Sequence, residues 1–135
     1  MKNLVSQSCV VVLALDRGLA LYLTSLIGCN GCVVVAPRSE QELYRVLLTA
    51  RVDLVIVVAL SPISLDDMLY SWVEVLLAAS VDIFVVMQHH SVHHTLRLLS
   101  VGVRQCMTLS ISPERLRSKV YEHLATNILG MGTIS

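Results

Sequence analysis

The 135 residues carry ten Lys and Arg against ten Asp and Glu, and 55% of them are hydrophobic, with a mean hydropathy of +0.71. A chain of this length is one domain that buries its core without disulfides or metals. The longest apolar runs, Val10–Leu15, Leu54–Leu60 and Leu76–Ala79, fall far short of the roughly 20 residues a membrane-spanning helix needs, and no signal-peptide pattern opens the chain, so a cytoplasmic protein without membrane contact is expected.

Apolar runs and amphipathic segments alternate five times. Cys9–Leu15 reads as the first strand, and Arg17–Ile27 as a helix stopped by Gly28. Cys32–Ala36 is the second strand. Ser39-Glu40-Gln41-Glu42 forms a capping box that opens a helix to about Ala50, with Leu43, Val46 and Leu47 as its apolar stripe. Leu54–Leu60 is the most apolar strand and is expected at the centre of the sheet.

Ser64-Leu65-Asp66-Asp67 starts the third helix, with a cap and acids that suit the helix dipole. Tyr70 and Trp72 on that helix are read as packing residues. Ile83–Met87 is the fourth strand, and Ser91 caps a helix ending before Gly102. Val103–Leu109 is the fifth strand. Ser112-Pro113-Glu114 starts a last helix running to about Ala125, and Gly130-Met131-Gly132-Thr133 reads as the start of a linker. The division is therefore a domain over 1–127 and a linker or tail over 128–135.

Strands alternating with helices imply a parallel sheet with right-handed crossovers. Five such units predict a flavodoxin-like doubly wound α/β fold, sheet order 2-1-3-4-5. Ligands in such sheets sit at the carboxyl ends of the strands, so chemistry is sought there.

Charge is uneven along the chain. Residues 1–90 hold five Lys or Arg against eight Asp or Glu, whereas residues 91–135 hold Arg97, Arg104, Arg115, Arg117 and Lys119 against Glu114 and Glu122. The asymmetry suits an acidic partner or an ion-paired interface and is too weak for nucleic-acid binding by this segment. Cys29 and Cys32 have C-x-x-C spacing, which suits a redox pair or half a zinc site. A redox pair belongs where a strand enters a helix. Here a helix ends and a strand begins, which favours structural cysteines.

Three stretches carry a family resemblance over residues 8–126. They are Val52 to Pro62, with Asp53 before the third strand and the proline in the loop after it; Ser91 to Arg104, with Gly102 ending the helix; and Ile111 to Leu116. Together they resemble the receiver domains of bacterial response regulators, the last stretch especially those that precede a LuxR-type helix-turn-helix. The resemblance implies phosphoryl transfer to an aspartate at the end of the third strand. An acidic pair after the first strand holds Mg²⁺, and a hydroxyl at the end of the fourth strand and a lysine at the end of the fifth meet the phosphoryl oxygens.

Matched position by position, the nucleophile falls on Val58 and the acidic pair on Ala14 and Leu15, with Asp16 adjacent. The hydroxyl falls on Met87, the lysine on Leu109 and the aromatic switch residue on Cys106. No Asp or Glu lies between Leu54 and Leu65, and no Lys between Lys2 and Lys119. Valine cannot be phosphorylated. Val58, Met87 and Leu109 are expected to pack on one another, filling the pocket, and Asp16 is expected to cap a helix.

The resemblance thus implies a non-enzymatic pseudo-receiver without a cofactor: a regulatory and dimerisation module of a transcription regulator, touching DNA only through a C-terminal domain absent from this chain. Its partner would be a second copy or another regulator. The expected dimer face is Arg97, Arg104, Arg115, Lys119 and Glu122, with Leu96, Leu99 and Val120 as either its apolar centre or core. The alternative is a small-ligand or metal sensor using the carboxyl ends of the strands together with His89, His90, His93 and His94, since a helix starting near Ser91 would set His90 and His94, or His89 and His93, one turn apart.

Overall fold

The computed structural model describes residues 8–14, 16–28, 32–59 and 70–133, with the side chains of Tyr70 and 127–133 outside the description. Five strands form one parallel sheet in the order β2-β1-β3-β4-β5: β1 Cys9–Leu13, β2 Val33–Val35, β3 Leu54–Ala59, β4 Ile83–Met87 and β5 Gln105–Thr108. Five helices lie among the described residues: α1 Arg17–Ile27, α2 Glu40–Thr49, α3 Tyr70–Ala78, α4 Val92–Val101 and α5 Pro113–Thr133. This is the flavodoxin-like doubly wound arrangement expected from the alternation. No helix among the described residues is long and apolar enough to cross a membrane.

The uninterrupted apolar runs follow from burial on both faces of the sheet. All six residues of β3 and all five of β4 are buried, and β3 holds the central position. Successive side chains alternate between two cores. Val57, Ala59, Val85 and Met87 join Leu43, Val73, Leu76 and Leu98 beneath α2, α3 and α4. Ile56, Val58, Phe84 and Val86 join Leu23, Ile27, Leu116, Val120 and Leu124 beneath α1 and α5.

Capping follows the sequence closely. Asp16 Oδ1 accepts from the Leu19 N–H at 2.9 Å, Ser91 Oγ from His94 at 3.3 Å and Ser112 Oγ from Arg115 at 3.3 Å. At α2 the Ser39 Oγ accepts from the Glu42 N–H at 3.2 Å, while the Glu42 carboxylate reaches the Arg38 N–H at 2.7 Å, one residue before the position a standard capping box uses. Gly102 ends α4 at φ 121°, where its N–H meets the carbonyls of Leu98 and Leu99. The predicted start of the third helix at Ser64 lies outside the described residues.

Some boundaries differ from the expectation. β4 has the expected bounds, β2 and β5 are shorter at both ends than the expected Cys32–Ala36 and Val103–Leu109, and the expected ends of the first and third strands at Leu15 and Leu60 lie outside the described residues. The last helix continues through Thr133, past the end expected near Ala125, so Gly130–Thr133 have helical backbone. That run contains no proline, and glycine in a helix costs only about 1 kcal/mol against alanine, which does not oblige the helix to stop.

Two long-range bonds hold α5 against α1. Tyr121 donates its hydroxyl to the Ile27 carbonyl at 2.6 Å, and Arg117 Nε donates to the Leu26 carbonyl at 2.9 Å. Both acceptors belong to the last turn of α1, whose carbonyls have no partner within that helix.

Candidate functional site

The strand ends that would carry receiver chemistry lie side by side at the carboxyl edge of the sheet. Val58 is opposite Val86, Ala59 is opposite Met87, and Met87 is opposite Thr108. Val58 is 6% exposed and belongs to the α1/α5 core, against which Ala14 and Leu109 also pack. Ala14, Val58 and Leu109 are thus associated with the same α1/α5 core. Met87 does not join it: one register step away from Val58, it turns to the opposite face and fills the core beneath α2, α3 and α4. Leu15 lies outside the described residues.

Asp16 is the acid nearest this edge in sequence, and its carboxylate caps α1. Cys106, which the sequence resemblance matches to an aromatic switch residue, packs half-buried against the α2/α3/α4 core. Burial pushes its thiol up to about 11. Burial, together with the Asp53 charge, also raises the Cys9 thiol. Cys32 is buried beside Ser8, its Sγ 3.8 Å from the Ser8 carbonyl, and burial followed by the charges of Cys9 and Asp53 raises its thiol. Thiols of this kind are poor nucleophiles. The Cys29 half of the C-x-x-C pair lies outside the described residues.

The histidines do not gather as their spacing suggested. Helix α4 begins at Val92, so His89 and His90 precede its cap and have no helical relation to His93 and His94. His93 and His94 are adjacent on the helix, with ring centroids 5.4 Å apart. Among the described residues no three His, Cys, Asp or Glu side chains stand close enough to hold a metal.

The candidate dimer face divides. Leu96 and Leu99 are 63% and 43% exposed, and with Val92 at 60% they make an apolar stripe along the outside of α4. Val120 is fully buried and belongs to the core. Arg97 and Arg115 are exposed, and Lys119 is half-buried. Arg115, Lys119 and Glu122 border a shallow depression on α5 together with Glu114 and Ser118. Arg104 is tied elsewhere, its Nε 3.3 Å from Asp82 Oδ1.

Asp82 also meets His123 Nε2 at 2.9 Å, and the His123 ring packs edge-on against Phe84 at 5.1 Å. This contact joins α5 to the start of β4 across 41 residues of sequence, and no local pattern announces it. A second feature invisible to sequence reading is a cavity of about 250 Å³ between the carboxyl end of β1, the first turn of α1, the start of α2 and α3.

No family model matches the sequence, and no curated protein matches it. Solved structures match throughout. A signal receiver domain assigned to a LuxO repressor protein of Vibrio parahaemolyticus superposes with TM-score 0.79 at 15% identity, covering 95% of this chain and 98% of that one. A response regulator from Thermotoga maritima gives 0.75 at 16% identity over 87% and 98% of the two chains. An orphan response regulator of H. pylori gives 0.71 at 14% identity over 87% and 96%. At such identities the likeness speaks for architecture, and the conclusion it supports is that this chain is built on the receiver fold of response regulators.

Proposed function

We propose that this chain is a pseudo-receiver, a regulatory and dimerisation module of a bacterial transcription regulator that works by association and performs no phosphoryl transfer. The observation that carries the reading is Val58, matched to the nucleophile position and buried in a core against which the partly buried Ala14 and Leu109 pack, where the fold would need a carboxylate, a metal-binding pair and a lysine. An apolar plug offers a hard cation no oxygen ligands. Losing the charged set together is the stable course, since any single survivor would be a buried charge without its partner. Self-association through α4 and α5, or pairing with another regulator, supplies the output, and DNA is reached only through a separate LuxR-type domain.

The test is incubation with acetyl phosphate, and separately with beryllofluoride, in the presence of Mg²⁺. No phosphoryl mass shift and no thermal stabilisation are expected. A covalent adduct on any carboxylate of the strand edge overturns the reading.

A second reading, a small-ligand sensor, is favoured by the cavity beside β1. The histidine cluster does not support it, because those side chains do not converge.

A further inference from the structure

We propose that the cavity between β1, α1, α2 and α3 is a binding site for a small monocarboxylate with a compact apolar body; the proposal rests on the sensor reading. Its volume of about 250 Å³ lies just below the roughly 300–1,000 Å³ usual for ligand pockets, which limits the ligand to a small acid. Leu13, Ala14 and Leu43 supply apolar wall, and Leu13 is a core residue at the end of β1. The site therefore touches the sheet edge where doubly wound folds bind ligands, and it shares Ala14 with the plug.

The polar lining has an excess of positive charge. Arg17 and Arg38 stand against the single carboxylate of Glu40. Arg17 Nη1 donates to the Ala36 carbonyl at 3.3 Å, which fixes the guanidinium while leaving its other N–H groups available. The neighbouring Glu42 carboxylate is occupied by the Arg38 backbone N–H. A planar guanidinium is the natural partner of a carboxylate, through two parallel hydrogen bonds.

A third group points to a ligand independently of charge. Trp72 forms part of the cavity wall, and its indole N–H is shut off from solvent without an acceptor. Buried donors of this kind are nearly always satisfied in folded proteins. A carboxylate oxygen entering beside the ring, with a small rotation of the indole, would satisfy it. Inorganic phosphate has no apolar body to cover Leu13 and Leu43, so the walls favour an organic acid.

The chain's single tryptophan makes the test direct. The full chain, labelled with ¹⁵N, is titrated with phenylacetate, benzoate and hexanoate, with their neutral amides and with inorganic phosphate, following the Trp72 indole N–H signal. At least one acid should produce a saturable shift with a dissociation constant of about millimolar or tighter. Its amide and phosphate should bind about tenfold more weakly or not at all. Arg17→Gln and the exposed Arg38→Gln should each weaken the acid about tenfold, whereas Glu40→Gln should tighten it. An amide that binds as well as its acid overturns the anion assignment and leaves the sensor reading standing. Absence of any saturable shift overturns both. A response to the acids that Arg38→Gln and Glu40→Gln leave unchanged places binding elsewhere and also refutes the site.

Discussion

Replacing Val58 with aspartate restores the residue type that receiver chemistry would require, and the structure predicts damage in place of rescue. Val58 is 6% exposed and packs in the layer of Val12, Ile56, Val86 and Met107. Removing its methyl groups from that layer forfeits about 1.5–3 kcal/mol of apolar burial. The new carboxyl adds about 1–3 kcal/mol as a polar group without a partner, since Ala14 and Leu109 supply neither donor nor cation. A loss of about 3–5 kcal/mol follows, and in a domain of this size it lowers the melting temperature by about 10–20 °C.

The pH dependence has a definite sign. Burial raises the folded-state pKa of the new acid above its unfolded value near 4, so the folded state retains the proton longer. The stability deficit relative to the parent therefore deepens as pH rises from about 4 through the raised folded value, and narrows in acid. Adding Leu109→Lys supplies a cation on the same face, and the double variant should recover part of the loss. Urea denaturation at pH 5 and pH 8 measures all three quantities. A Val58→Asp protein as stable as the parent at both pH values, and stabilised by Mg²⁺, would show an open pocket and refute the plug.

Gly102→Ala should cost about 1–2 kcal/mol in urea denaturation, because φ 121° strains any side chain and a Cβ would come within 3.2 Å of Leu77 Cδ2. Cys106, with its thiol raised to about 11 from 9, should alkylate at pH 8 about a hundredfold more slowly than an unperturbed thiol, and site-resolved mass spectrometry should show the gap closing as pH approaches 11. A solution dimer at tens of micromolar, a range taken from the affinity scale, should weaken on Arg97→Glu or Arg115→Glu and at high salt, and Leu96→Asp should disrupt it; sedimentation equilibrium reads each effect.

Much of the fold was legible because it rests on local rules. Strands buried on both faces announce themselves as valine and leucine runs, and Asp16, Ser39, Ser91 and Ser112 each mark a helix start where a cap is found. The candidate site could be located from the sequence because its positions are fixed by strand ends. What escaped depends on distance or on single-residue register. Met87 and Val58 differ by one step in their pairing, enough to send them to opposite faces. The histidine spacing failed because the helix begins at Val92, two residues beyond His90. Trp72 looked like packing alone. Its half-buried ring does pack on the core, yet its place in a cavity with Arg17 and Arg38 depends on three elements far apart in sequence.

The central strand carries a kinetic liability. Its six residues, Leu-Val-Ile-Val-Val-Ala, contain no charge, proline or glycine, and every one is covered on both faces only after the crossovers have closed. Parallel pairings join segments distant in the chain, so folding waits on slow loop closure while this stretch stays accessible. Uncharged runs of β-branched residues are the segments from which intermolecular cross-β stacking starts. Destabilising substitutions in this domain should consequently appear first as concentration-dependent, irreversible loss on heating, and only afterwards as a shifted equilibrium midpoint.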